Sequence, residues 1–76
     1  MRLYLGGHLD WYAPQRQASH EIRLGKSTCL LTVLRGLGIP PSEIATTAVN
    51  GALVDLDCAE VSDGDTVELF AAIGGG

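Results

Sequence analysis

The chain ends in Gly74-Gly75-Gly76, so its last carboxylate sits on a tail that no side chain thickens. Glycine presents nothing to obstruct a narrow active site and adopts backbone angles closed to other residues. From Ala72 to Gly76 an extended chain reaches about 17 Å, enough to carry the terminus into a pocket while a folded body docks outside. A carboxylate alone is a poor electrophile and needs a leaving group before it can be substituted. The opposing reading of three terminal glycines is a frayed end, since termini are often disordered. The alternating apolar stretch that stops at Phe70, only a few residues earlier, favours a tail that threads.

The remaining reactive side chains do not assemble into a catalytic set. Cys29 and Cys58 form no CxxC pair and have no histidine at metal-ligand spacing, so neither a zinc site nor an iron–sulfur cluster is supported. Neither thiol has a recognisable base and orienter, and both are expected to be packed as buried or half-buried groups. His8 and His20 are accompanied only by Asp10 and Glu21, which makes them solvated or structural histidines rather than metal ligands or proton carriers. No paired carboxylates, nucleophile motif or phosphate loop stands out, and Gly6-Gly7 is a turn signal rather than a dinucleotide fingerprint. An independent enzyme is not expected.

Trp11, Tyr12 and Phe70 either close the core or present a binding surface, because large aromatics dominate interface energetics where they are exposed. Phe70 is out of phase with Val67 and Leu69, which makes it the first candidate for an exposed contact beside the tail.

The elements that must hold these residues can be read along the chain. Leu3 and Leu5 alternate with Arg2 and Tyr4 as a half-buried strand that Gly6-Gly7 ends. Residues 8–17, with Pro14 and the Trp11-Tyr12 pair, read as a connecting loop with an aromatic anchor. A second strand is expected over about Ser19 to Leu24, with Ile22 and Leu24 turned to one side. Ser27 and Thr28 are helix N-cap candidates, followed by Leu30, Val33, Leu34 and Leu37 at the spacing of one helical face. Burying each of those side chains contributes roughly 1.5–3 kcal/mol before ordering entropy is subtracted. Gly38 and the Ile39-Pro40-Pro41 sequence stop the helix.

An apolar run to Val49 then meets Asn50-Gly51, the strongest two-residue hairpin signal, and Leu53-Val54 returns. Ser62-Asp63-Gly64-Asp65 makes a turn into a last strand, Thr66 to Phe70. The order strand, strand, helix, strand, strand, strand fits an α+β fold of the β-grasp type, a mixed sheet of about five strands with one main helix packed across it. Residues 1–72 are expected to form this domain, and residues 73–76 a flexible glycine tail.

With 46% apolar and 18% charged residues, the 76-residue chain has the balance of a single globular domain. Its net charge of −4, with five scattered basic residues, argues against nucleic acid as a partner. The same acidity favours a partner with a basic docking face, and it is also how small domains stay soluble. No apolar stretch approaches the ~20 residues needed to span a bilayer, and the alternating start lacks the pattern of a secretory signal, so a cytoplasmic location is expected.

Leu37-Gly38-Ile39-Pro40, Val49-Asn50-Gly51 with Val54, Asp63-Gly64-Asp65 before an apolar strand, and the terminal Gly75-Gly76 together resemble the MoaD/ThiS family of ubiquitin-like sulfur carriers. The resemblance runs over most of the chain from Ser27 onward and rests on the order and spacing of these pieces. It implies that the Gly76 carboxylate is the sulfur-carrying group, adenylated with ATP and then converted to a thiocarboxylate. Gly75 is the other half of the family's glycine pair and Gly74 an additional glycine, both threading into the partner, with Phe70 and Ile73 as candidate partner contacts. The implied partners are an adenylyltransferase resembling the ubiquitin-activating enzyme, and a sulfur-accepting synthase of the molybdopterin synthase large-subunit or thiazole synthase type.

No permanently bound cofactor is implied; ATP and magnesium are used by the activating partner. Sulfur carriage also raises Cys58 as a candidate persulfide relay. A reading from another class is a ubiquitin-like interaction module or protein modifier that carries no sulfur, since a fold does not fix a function.

Overall fold

A computed structural model describes residues 1–71 of the chain. Seven strands and one α-helix follow in the order β1 (Arg2–Leu5), β2 (Ser19–Glu21), β3 (Thr28–Cys29), α1 (Leu30–Leu37), β4 (Ile44–Val49), β5 (Ala52–Val54), β6 (Glu60–Val61) and β7 (Thr66–Ala71). Five of the strands form a sheet in the order β2-β1-β7-β4-β5. The β1 and β7 strands are parallel, while the other neighbours are antiparallel, so the sheet is mixed as expected of a β-grasp fold. The β3 and β6 strands form a separate two-stranded ladder.

Alternation fixes which face of the sheet is buried. Leu3 and Leu5 of β1 and Val67 and Leu69 of β7 point inward, where Leu30 and Leu34 of α1 and Ile39 beyond it complete a core with Leu9 and Val61. Val33 and Leu37 flank that core as half-buried side chains, so all four residues of the expected helical face touch it. Gly38 ends α1 in the left-handed conformation at φ 81°, and the Ile39 amide donates to the Leu34 carbonyl at 3.0 Å, which satisfies a helix-end acceptor.

Several expectations need correction. The second strand stops at Glu21, because Glu21 lies opposite Arg2, the first residue of β1, and leaves the following residues no strand to pair with. Instead the Ile22 amide bonds to the Met1 carbonyl at 2.8 Å and the Leu24 amide to the Asp63 carboxylate at 2.7 Å. The helix cap is neither Ser27 nor Thr28. Cys29 occupies the N-cap position without a side-chain cap, and the Leu30 amide donates to the Ala59 carbonyl at 3.0 Å.

The cysteines are also placed differently. Cys29 and Cys58 are exposed rather than packed. In the β3–β6 ladder Thr28 lies opposite the buried Val61 while Cys29 lies opposite the exposed Glu60, so alternation turns the thiol outward. Cys58 closes a single 3-10 turn, Leu56–Cys58, from which Leu56 and then Ala59 take the inward positions.

Candidate functional site

The end of β7 is the point from which the glycine tail departs, and its neighbours are set by register. Leu69 pairs with Leu5 on one side and Thr47 on the other, and Ala71 pairs with Ile44. The Gly6 amide continues the β1 contact by donating to the Leu69 carbonyl at 2.7 Å. Ala71 itself is buried, so the chain remains anchored up to the last described residue.

Both glycines at the end of β1 are shaped to this exit. A Cβ on Gly6 would stand 2.6 Å from Cδ1 of Phe70, which means the phenyl ring lies across the glycine backbone. Gly7 has φ +64°, and a Cβ there would stand 3.1 Å from the Cβ of Ala71. The Gly6-Gly7 turn signal therefore has a packing cause as well as a conformational one.

Phe70 is 40% exposed, as its phase in the strand predicts. It belongs to an outward sheet face whose rows follow from pairing. Tyr4 lies beside Glu68, Glu68 beside Ala48, and Ala48 beside Leu53, while Phe70 pairs with Thr46 in the next row. Tyr4, Phe70 and Leu53 are thus exposed on one open face, with Leu53 the most exposed of them at 77%. Large apolar groups gathered on an open face have the character of a docking surface.

On the other side of the exit, the segment after Gly7 is fastened to the turn before β4. Glu43 lies 3.1 Å from His8 Nε2 and accepts a hydrogen bond from the Tyr12 hydroxyl at 3.3 Å. Partial burial, followed by the charge of Glu43 and the hydrogen bond to it, raises the Tyr12 phenol above its ordinary value. Tyr12 packs against the core, whereas Trp11 is 61% exposed beneath the Arg16 guanidinium, so the two adjacent aromatics divide the roles expected for them. Sequence reasoning missed Glu43 as the partner of both His8 and Tyr12, because more than thirty residues separate it from them and no local spacing signals the pairing.

The other candidates are dispersed. His20 is held locally, with Nε2 2.7 Å from the Gln17 carbonyl. Among the described residues no group of three His, Cys, Asp or Glu is gathered for a metal ion, and no helix is long and apolar enough to cross a membrane. Cys58 lines a concavity with Val49 and Val54, and Val49 pairs with Val67, near the beginning of β7 rather than its end. A second concavity, of about 460 Å³, is lined by Met1, Arg2, Asp63 and Thr66 and likewise lies where β7 begins. Phe70 is the sequence-derived contact that the structure places at the exit; Ile73, Gly74, Gly75 and Gly76 lie outside the described residues.

Comparison with known proteins gives this geometry a family. The ThiS family model matches residues 10–76, from the segment after β1 to the final glycine. Among solved structures the chain is similar to the thiamine biosynthesis protein ThiS from Geobacter metallireducens, with a TM-score of 0.58 and 25% sequence identity over 100% of both chains. No curated protein matches it. A family match that spans most of the sheet, the helix and the glycine end settles the membership: the chain belongs to the ThiS family.

Proposed function

We propose that the protein is a sulfur carrier of the thiamine type, a cosubstrate rather than a catalyst, working in the cytoplasm with its Gly76 carboxylate as the reacting group. The observation that carries this reading is the ThiS family match, which runs through Gly76. The similar structure named for thiamine biosynthesis favours a thiazole synthase as the sulfur acceptor.

In the proposed reaction a Gly76 carboxylate oxygen attacks the α-phosphorus of ATP and pyrophosphate leaves. A sulfide-level nucleophile then adds at the carbonyl carbon, AMP departs, and a C–S bond replaces a C–O bond. The partner adenylyltransferase supplies ATP, magnesium and the activating chemistry. The chain itself supplies a slender carboxylate, with Gly74 and Gly75 entering the partner, and a rigid body that docks outside. Phe70 and Ile73 are the proposed contacts flanking that entry.

Adenylation is the step to test first. Incubation with ATP, magnesium and a ThiS-type adenylyltransferase should release pyrophosphate with the full chain and none with a chain ending at Gly74. Release that persists in the shortened chain would remove Gly76 from the reaction. Attachment of Gly76 to a lysine amine in place of sulfur would favour a protein modifier.

A further inference from the structure

The segment between β1 and β2 carries an exposed aromatic–cation pair that neither the core nor the tail chemistry requires. Trp11 is held outward by its neighbours, since Leu9 is fully buried and Ala13 nearly so, and a 3-10 turn fixes the backbone between them. The Trp11 amide donates to the His8 carbonyl at 3.0 Å and the Ala13 amide to the Asp10 carbonyl at 3.1 Å. The backbone that carries the indole is thus fixed.

Over it lies Arg16, with Cζ 3.9 Å from the ring centroid. Reaching that position takes two consecutive non-glycine residues in the left-handed region, Gln15 at φ 57° and Arg16 at φ 52°. This conformation is costly for L-residues and persists only where surrounding structure holds it. Pro14–Arg16 buries none of its residues. The turn links the buried Ala13 to the segment that pairs with β1, and it also stacks a guanidinium on an indole at the surface.

Among the described residues Arg16 has no carboxylate at salt-bridge distance. Its planar donor edge therefore stays open while one face is covered by the ring, an arrangement suited to a bidentate carboxylate. Trp and Arg are also the residue types most enriched among interface hot spots.

The pair stands close to the tail exit, since Gly7 faces Ala71 and the 3-10 turn Leu9–Tyr12, which carries Trp11, packs on β7. A stable interface covers about 800 Å² on each partner, so an enzyme surface that draws in the tail also reaches this pair.

We propose that Trp11 and Arg16 form a specificity anchor for the activating adenylyltransferase, receiving an acidic side chain from a loop of that enzyme; this rests on the sulfur-carrier reading above. The occupant follows from Arg16, whose open donor edge takes a carboxylate. With nine acidic and five basic residues the chain favours a basic docking face overall, so an acidic side chain set within that face is repelled over most of the surface and accepted at an exposed arginine. Such a contact fixes the orientation in which the body docks, and with it the line along which the tail enters.

Steady-state pyrophosphate release with a ThiS-type adenylyltransferase tests the anchor. Trp11→Ala and Arg16→Glu should each lower kcat/KM by about tenfold or more, through KM with kcat nearly unchanged, and Arg16→Lys should recover only part of the loss. Thermal melts should stay within about a few degrees of the wild type, because both side chains are exposed and only their mutual contact is lost. The single tryptophan, replaced by 5-fluorotryptophan, should give one ¹⁹F resonance that shifts when the enzyme is added. Wild-type kcat/KM in both variants, or normal activation with slowed sulfur delivery to the synthase, would overturn the proposal. Absence of pyrophosphate release from the wild-type chain would instead overturn the sulfur-carrier reading on which it stands.

Discussion

Gly6 and Phe70 form a matched pair in which the absent side chain of one makes room for the ring of the other. A methyl group at Gly6 would meet Phe70 Cδ1 at 2.6 Å and the Leu69 carbonyl oxygen at 3.3 Å. Gly6→Ala should therefore cost about 1–3 kcal/mol in urea unfolding, the usual range for overpacking. Adding Phe70→Ala should return part of that loss, and no recovery would show that the backbone contact dominates. Asn50 presents a different case at the same scale. It adopts φ 52°, donates to the Asp65 carboxylate at 3.0 Å and accepts from the Thr66 amide at 2.9 Å. Asn50→Ala combines left-handed strain with two lost hydrogen bonds and should destabilise by about 1–2 kcal/mol. The exposed Cys29 and Cys58 thiols should both react with an alkylating reagent in the native state, at rates close to those in denaturant. Strong protection of either thiol would contradict its outward placement.

At the scale of elements, the β4–β5 hairpin and the turn before β7 are one assembly. Asn50 and Asp65 join them, and Asp65 also accepts from the Ser62 amide at 2.8 Å. The Asn50 hydrogen bond, followed by the Ser62 amide, holds the Asp65 carboxyl below the usual carboxylate range. Asp63 is lowered first by the Leu24 amide. A carboxyl lowered by folding stabilises the fold above its unfolded pKa, and that stability drains away as the pH falls through the lowered value. Unfolding stability should accordingly drop below about pH 4, and Asp65→Asn should flatten this dependence. An unchanged acid slope in the variant would rule Asp65 out as a contributor.

Most of these elements were legible because their signals are local. The Leu30–Leu37 stripe, the Asn50-Gly51 hairpin and the alternation around Val67 and Leu69 each fix a shape within a few residues. The β3–β6 ladder was not legible, since two-residue strands carry no period. The exposure of Cys29 and the early end of β2 depend on pairing with distant residues and were misread for the same reason.

Across the whole molecule, the proposed function divides between the folded body and the terminal glycines. The parallel β1–β7 pair places the Gly6-Gly7 turn, Phe70 and the last described residue, Ala71, at one end, and the open face spreads Tyr4 and Leu53 outward from it. Phe70→Ala should weaken binding to the adenylyltransferase with the fold retained, and unchanged affinity would remove that residue from the interface. Gly76 was proposed as the reacting position from residue order and the terminal glycines, while the placement of Tyr4, Phe70 and Leu53 on one open face followed only from strand register.

The central claim is sulfur carriage at Gly76, and intact-mass analysis tests it most directly. The full chain would be incubated with ATP, magnesium, a ThiS-type adenylyltransferase and sulfide, and then fragmented to locate any change. The account predicts a gain of about 16 Da confined to Gly76, an oxygen replaced by sulfur, and none in a chain ending at Gly74. An unchanged mass with an enzyme that demonstrably adenylates the chain would contradict it.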